Sequence, residues 1–137
     1  MIYVFDVSFV AALIIPDEKN QRVDDAYANI ENEEERCGPF LFWYEITNLF
    51  KSLILRKRFT VDEVMYFYPR LVAINLSIDN EEGISYSKKL LRLCNAYNLS
   101  SYDAAYLELA ERKNATLCTM DESLRLAAKK YGVAVLK

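Results

Sequence analysis

The chain has 137 residues, with 17 Lys and Arg against 20 Asp and Glu, a formal net charge of −3, and no histidine. The lack of histidine excludes Ser-His-Asp and Cys-His catalysis, a histidine general base and histidine-ligated zinc. Acid–base or metal chemistry must then use carboxylates, Lys, Tyr or Cys, and carboxylates favour hard ions such as Mg²⁺ and Mn²⁺.

The composition, 53% apolar and 27% charged, is typical of one globular domain, which we place over residues 1–137. The cysteines Cys37, Cys94 and Cys118 lie far apart without a CxxC pair. This spacing favours reduced, buried cysteines and a cytoplasmic protein. The longest uncharged stretch, Val7 to Pro16, is shorter than the roughly 18–20 residues that span a bilayer, so no membrane association is expected.

The first half of the chain is predicted to form one strand, three helices and a turn with a short strand. In chain order these are a strand over Ile2 to Phe5, a helix over Phe9 to Ile15 with Ser8 as its N-cap, an amphipathic helix over Arg22 to Ile30, the turn and strand over Cys37 to Leu41, and a long helix over Phe42 to Arg58.

The second half alternates helices with strands. A capping box at Thr60 opens a helix that ends near Pro69, and the elements that follow are a strand over Leu71 to Ile78, helices over Asn80 to Tyr97 and Ser100 to Asn114, a strand over Ala115 to Thr119, a helix over Glu122 to Tyr131 closed by Gly132, and a strand over Val133 to Leu136. This order predicts an α/β fold: a three-layer α/β/α sandwich around a mainly parallel sheet of about five strands.

Four acidic residues occupy places where a parallel sheet forms its sites, outside the carboxyl ends of the strands. Asp6 follows the first strand directly, and Asp121 lies just past the strand that ends at Thr119. Asp103 and Glu45 lie in the first turns of helices, and Glu45 has mainly apolar neighbours on its helix face. Because converging carboxylates repel one another, a divalent cation is the physical reason for such a cluster.

Each acid except Glu45 also has a structural interpretation. Asp6 can bind backbone amides at the start of the first helix, Asp103 completes a capping box with Ser100, and Asp121 lies where acids commonly begin helices. Glu45 is harder to explain in this way, because a carboxylate buried among apolar residues needs a cation or strong donors.

Each of the four acids lies in a segment of characteristic sequence, and these segments are Val4 to Leu13, Tyr44 to Asn48, Leu99 to Leu107 and Leu117 to Leu124. In these segments the chain resembles the PIN-domain nucleases, and among them the VapC-type toxins of prokaryotic toxin–antitoxin modules. Each segment is weak evidence alone, but all four occur in the family's order across the whole chain.

The resemblance implies a PIN-like fold and an Mg²⁺- or Mn²⁺-dependent endoribonuclease that hydrolyses RNA phosphodiester bonds. It assigns the family's four acids to Asp6, Glu45, Asp103 and Asp121 as catalytic and metal-binding residues. Asp6 and Asp103 would hold the ion directly, and the other two directly or through water. The number of metal ions, one or two, stays open.

Three polar residues, Ser8, Asn48 and Thr119, are candidates to support the ligands by hydrogen bonds, although Ser8 and Thr119 are equally explained as helix caps. Candidate phosphate contacts are Lys51, Arg56, Lys57, Arg58, Lys88 and Lys89, for which a solvated helix face is the competing interpretation.

The resemblance further implies a small VapB-like antitoxin that blocks the site, and a homodimer. The apolar segments Phe9 to Ile15 and Phe42 to Leu55 fit either a partner interface or the core. Two alternative functions stay open: a PIN-like RNA-processing nuclease outside a toxin–antitoxin pair, and a non-catalytic PIN-like binding module.

Overall fold

The computed structural model describes residues 1–136. Lys137, the last residue of the predicted domain, lies outside this range. The core of the fold is a parallel sheet of four strands, in the order β3-β2-β1-β4. The strands are β1 (Ile2–Phe5), β2 (Glu35–Gly38), β3 (Ser77–Ile78) and β4 (Thr116–Cys118).

Eight α-helices connect and cover the strands within the described residues. They are α1 (Val7–Ile14), α2 (Gln21–Ala28), α3 (Phe42–Leu55), α4 (Val61–Met65), α5 (Tyr68–Ile74), α6 (Ile84–Tyr97), α7 (Ser101–Arg112) and α8 (Glu122–Tyr131), with a short 3₁₀ helix at Pro16–Glu18. None of the helices within residues 1–136 has the length and apolarity needed to cross a bilayer.

Helices cover both faces of the sheet, as expected for a three-layer α/β/α sandwich. Successive side chains of a strand point to opposite faces. Tyr3 and Phe5 pack into a buried cluster formed with α1 to α5, whereas Val4 packs into a second cluster formed with α6, α7 and α8. The sheet therefore separates two hydrophobic layers, and the predicted fold class is confirmed.

The sheet has one strand fewer than the expected five, at the C-terminal edge. The predicted strand over Val133 to Leu136 is reduced to a single parallel bridge between Val135 and Leu117. The chain reaches this edge directly after Gly132 ends α8.

The predicted strand over Leu71 to Ile78 is wrong for most of its length. Leu71 and Ile74 belong to α5 and are buried on one helix face, three residues apart. Pro69 lies in the first turn of α5, where its missing N–H is tolerated, so it begins a helix rather than ending one. Only Ser77 and Ile78 form the strand.

Several element boundaries differ from the prediction by a few residues. β2 begins at Glu35 rather than Cys37, and α3 ends at Leu55 rather than Arg58. The helix expected from Asn80 begins at Ile84 because Gly83 adopts a φ of 100°, which is incompatible with a helix interior. Ser8 lies inside α1 rather than capping it, since Asp6 is the N-cap.

Most of the two apolar segments belongs to the core. Every residue of α1 from Phe9 to Ile14 is buried except Leu13, which is partly buried. The α3 segment buries one face and exposes Trp43, Tyr44 and Leu55.

The three free cysteines also lie mainly in the core. Cys37 and Cys118 are buried and Cys94 is partly buried. Burial raises the pKa of the Cys37 thiol to about 11.

Candidate functional site

Asp6 lies where β1 ends and α1 begins, at the carboxyl edge of the sheet. Its backbone N–H continues the pairing of β1 with β4 by donating to the Cys118 carbonyl over 3.1 Å. Its Oδ1 accepts from the Phe9 N–H over 2.9 Å and from the Ser8 hydroxyl over 2.7 Å. The Thr119 hydroxyl, which follows β4, donates to Oδ2. Asp6 therefore caps α1 and also joins the ends of two neighbouring strands.

Asp6 is buried although it is an acid, with only 6% of its surface exposed. Burial raises the pKa of Asp6 to about 6, and the negative charge of Asp103 adds to this, while the bonds from Thr119, Ser8 and Phe9 lower it. A group whose pKa is raised by burial and by a second carboxylate is typical of functional sites.

Glu45 extends into the same region from the first turn of α3. Its Oε1 accepts a hydrogen bond of 2.7 Å from the hydroxyl of Tyr106 on α7. Partial burial raises the pKa of Glu45, the bond from Tyr106 lowers it, and the charges of Asp103 and Asp6 raise it further. Glu45 therefore has one strong donor, as its apolar helix face requires, but forms no ion pair within residues 1–136.

Asp103 and Asp121 complete the group from α7 and from the start of α8. The Asp103 N–H donates to Ser100 Oγ over 3.1 Å, and Ser100 is the N-cap of α7. Burial and the charge of Asp121 raise the pKa of Asp103. Asp121 is exposed and caps α8, with Oδ1 accepting from the Leu124 N–H over 3.0 Å. The structural interpretation of Asp121 is confirmed, and its cap uses only one carboxylate oxygen. The capping box expected at Asp103 is only half formed within residues 1–136, because the bond to Ser100 uses the Asp103 backbone N–H and not its carboxylate.

The four acids come from four separate segments of the chain and influence one another through their charges. Within residues 1–136, none of the four forms an ion pair, although ion pairs occur elsewhere in the fold. Oxygen donors without a cationic partner suit a hard divalent ion. Within the same residues, no three Asp, Glu or Cys side chains are placed to hold a metal ion as they stand. The donor types fit Mg²⁺ or Mn²⁺.

A family model described as the PIN domain matches residues 3–130, which include all four acids. The chain belongs to the PIN domain family. This PIN domain is 27% identical over 121 residues to a curated protein named Ribonuclease VapC3 from Pyrobaculum aerophilum, a match that covers 88% of this chain and 90% of that protein.

Solved structures share the fold at lower identity. The crystal structure of PAE2754 from Pyrobaculum aerophilum matches with a TM-score of 0.71 at 20% identity, covering 99% of this chain and 92% of the other. The crystal structure of FitAcB from Neisseria gonorrhoeae matches with a TM-score of 0.69 at 16% identity, covering 100% and 97%.

The three candidate supporting residues of this PIN domain have different surroundings. Ser8 and Thr119 both donate to Asp6, and their hydroxyls also accept from the N–H groups of Met120 and Asp121 over 2.8 and 3.0 Å. They therefore bind the carboxylate and the loop after β4 together. Asn48 is exposed on α3, one turn after Glu45.

The candidate phosphate contacts lie away from the acids. α3 rises about 1.5 Å per residue, which places Arg56 roughly 16 Å along the helix from Glu45. Lys51, Arg56 and Lys57 are exposed. Arg58 instead forms ion pairs with Asp17 and Glu18, at 2.7 and 3.4 Å.

Of the two candidate lysines on α6, one is exposed and the other forms an ion pair. Lys88 is exposed, whereas Lys89 pairs with Glu111 over 2.9 Å.

Two residues at the site of this PIN domain were not identified from the sequence. Tyr106 is three residues after Asp103 and therefore on the same helix face, which is the signal that could have identified it. Arg125 of α8 donates to the Thr119 carbonyl over 2.7 Å and to the Leu136 carbonyl over 3.1 Å. It holds the loop after β4 in place, and no sequence pattern indicated these contacts.

Proposed function

We propose that this PIN domain is a VapC-type endoribonuclease that hydrolyses RNA phosphodiester bonds at a carboxylate site for Mg²⁺ or Mn²⁺. The observation that carries the proposal is the group formed by Asp6, Glu45, Asp103 and Asp121, which lacks any cationic partner within residues 1–136. The 27% identity to a protein named Ribonuclease VapC3 supports it.

The residues of the site have distinct proposed roles. Asp6 and Asp103 hold the ion directly, while Glu45 and Asp121 hold it directly or through water. A bound divalent ion would polarise the phosphoryl oxygen and lower the pKa of a water that attacks phosphorus. Tyr106 fixes the rotamer of Glu45 through its hydroxyl.

Ser8 and Thr119 restrict the Asp6 carboxylate, one at each oxygen. This keeps Asp6 in one orientation whatever its charge state, because a hydroxyl can both donate and accept. Asn48 is proposed to contribute a polar group at the solvent-exposed edge of the metal site.

The direct test is cleavage of total RNA by the purified protein in Mg²⁺ or Mn²⁺ and in EDTA. We expect cleavage with either metal, none in EDTA, and a loss of about 100-fold or more in Asp6→Asn and Asp103→Asn. Asp62→Asn, an exposed acid on α4, is the matched control and should keep wild-type activity. Cleavage that persists in EDTA, or that survives both substitutions, would refute the site.

We also propose a homodimer and a small VapB-like antitoxin as partner. Their support is apolar surface around α3 to α5, which exposes Leu55, Val61, Met65, Tyr66 and Val72. Light scattering on the isolated protein tests the dimer. Growth arrest on expression, relieved by a small protein encoded beside this one, tests the antitoxin, and an active nuclease that never arrests growth would favour RNA processing instead.

A further inference from the structure

A cavity of about 310 Å³ opens beside the carboxylate group, lined by residues of α1, α2, α8 and the loop after β4. Phe9 and Thr119 line this cavity, and the same two residues donate hydrogen bonds to Asp6. Met120 lines it as well, directly before Asp121. The cavity therefore borders the residues that hold Asp6, on one side of the proposed metal site.

The wall of the cavity combines apolar and polar side chains. Met120, which is 42% exposed, and the partly buried Ala26 supply most of the apolar surface, with the buried Phe9 and Val23 behind them. A volume of this size lies at the lower end of small-molecule pockets, which suits a ligand with one ring system. A planar ring could therefore lie against these side chains.

The polar groups are suited to a ligand that carries negative charge and hydrogen-bonding edges. Arg22 is exposed and forms no ion pair within residues 1–136. Asn20 uses its Oδ1 to cap α2, over 2.9 Å from the Arg22 N–H, so its amide N–H groups stay available. Within residues 1–136, Glu122 is the one acid in the lining, and Arg125 faces it over 3.8 Å while donating to the carbonyls of Thr119 and Leu136. The base edges, rather than the phosphate, would meet Glu122. Arginine binds phosphate oxygens in a bidentate manner and also stacks on planar rings.

We propose that this cavity receives one nucleotide of a single-stranded RNA substrate, next to the bond that is cut, and thereby sets a base preference at that position. The inference rests on the proposed nuclease function. The base lies against Met120 and Ala26, and Arg22 contacts the adjoining phosphate. A base can enter only when it is unstacked, so the cavity selects single strands, loops or bulges over duplex RNA.

The test compares cleavage of a random-sequence single-stranded RNA pool in Mg²⁺ by four proteins, with the cut ends sequenced. These are the wild type, Arg22→Gln, Ala26→Leu and the control Arg92→Gln, an exposed arginine on α6. Ala26→Leu fills the cavity with a residue that is also a good helix former. We expect Ala26→Leu to lose the wild-type base preference, and both cavity variants to lower kcat/KM on the preferred sequence about tenfold, with Arg92→Gln unchanged.

The outcomes separate this inference from the proposed function. If the wild type cuts RNA and both cavity variants keep its base preference and kcat/KM, the cavity inference is wrong and the nuclease assignment stands. If the variants instead lose only affinity for a purified antitoxin, the cavity binds protein and the inference is likewise overturned. If the wild type cuts no RNA in Mg²⁺ or Mn²⁺, both fail. Melting curves confirm that Arg22→Gln, a surface change, is folded.

Discussion

At the residue scale, the surroundings of Asp6 have opposing effects on the pKa of its carboxyl group. Three donors, from Thr119, Ser8 and the Phe9 backbone, stabilise the carboxylate, whereas burial and the charge of Asp103 destabilise it. The balance leaves its pKa at about 6, above the ordinary value near 3.8. The ionised form of Asp6 therefore lowers the stability of the metal-free protein, and a bound cation would relieve this cost.

This balance predicts a pH-dependent gain in stability for Asp6→Asn in EDTA. Since the pKa of Asp6 is higher in the folded than in the unfolded chain, the folded state binds more protons between about pH 4 and 6, and its free energy of unfolding falls as pH rises through this window. We expect the variant to be more stable by up to roughly 3 kcal/mol at pH 7.5, and by less than about 1 kcal/mol at pH 4.5.

Urea unfolding at the two pH values measures this difference, with Asp62→Asn as the control that should show none. A variant less stable than the wild type at pH 7.5 would show that the ionised Asp6 cap is net stabilising.

Tyr106 provides a second prediction at this scale, because its hydroxyl is the donor that orients Glu45. We expect Tyr106→Phe to lower cleavage about 10- to 100-fold at limiting Mg²⁺ and to raise the Mg²⁺ concentration for half-maximal activity. The loss of stability should stay below about 1.5 kcal/mol, since Glu45 is only half-buried and water can replace the hydroxyl. A Mg²⁺ titration of cleavage measures the effect.

Tyr97→Phe is the matched control, because Tyr97 packs against Tyr131 at the C-terminal end of α6, whereas Tyr106 donates to Glu45. If Tyr106→Phe reduced stability but left the Mg²⁺ dependence unchanged, Tyr106 would have only a packing role.

At the element scale, α7 positions two site residues at once. Asp103 lies in its first turn and Tyr106 one turn later on the same face. Both positions depend on where the helix begins, which the N-cap Ser100 determines by accepting from the Asp103 N–H. A cap of this kind contributes to stability and to the geometry of the site together.

Two cap substitutions separate these contributions. Ser100→Ala and Thr60→Ala each remove one capping hydroxyl, and each should lower the free energy of unfolding by about 1 kcal/mol. Only Ser100→Ala should also reduce RNA cleavage, because α4, which Thr60 caps, carries no site residue. Urea unfolding and cleavage rates measure both effects, and equal activity of the two variants would disprove the link between cap and site.

At the scale of the whole molecule, the charges divide into an acidic site at the sheet edge and a basic end of α3. Lys51, Arg56 and Lys57 are exposed there, without acidic partners within residues 1–136, whereas Arg58 is engaged by Asp17 and Glu18. A net charge of −3 therefore does not prevent a local attraction for RNA phosphates.

This distribution predicts different effects for neighbouring cations. Replacing Lys51, Arg56 and Lys57 together by Gln should weaken RNA binding about tenfold or more at low salt and reduce the salt dependence by about one unit of slope per lost contact. Arg58→Gln should leave the salt slope unchanged and affect only stability. Fluorescence anisotropy with a labelled single-stranded RNA in EDTA, at several salt concentrations, measures the slope. If the salt slope of the triple variant equalled that of the wild type, RNA would bind at a different surface of the protein.

The sequence alone determined the features that depend on local pattern. The alternation of strands and helices, the caps at Ser100 and Asp121, and the order of the four acids along the chain all follow from residue type and short-range spacing. The family membership that these segments suggested is confirmed by the match over residues 3–130. The roles of the acids as metal ligands stay a prediction.

Only the tertiary structure decided the features that depend on contacts between distant segments. The apolar run from Leu71 to Ile78 is compatible with either a strand or a helix, and the packing of Leu71 and Ile74 against the core selected the helix. The bond from Tyr106 to Glu45 joins residues 61 apart, and that from Arg58 to Asp17 joins residues 41 apart. The burial that raises the pKa of Asp6 likewise depends on the packing of separate elements, and short-range sequence patterns carry no information about such contacts.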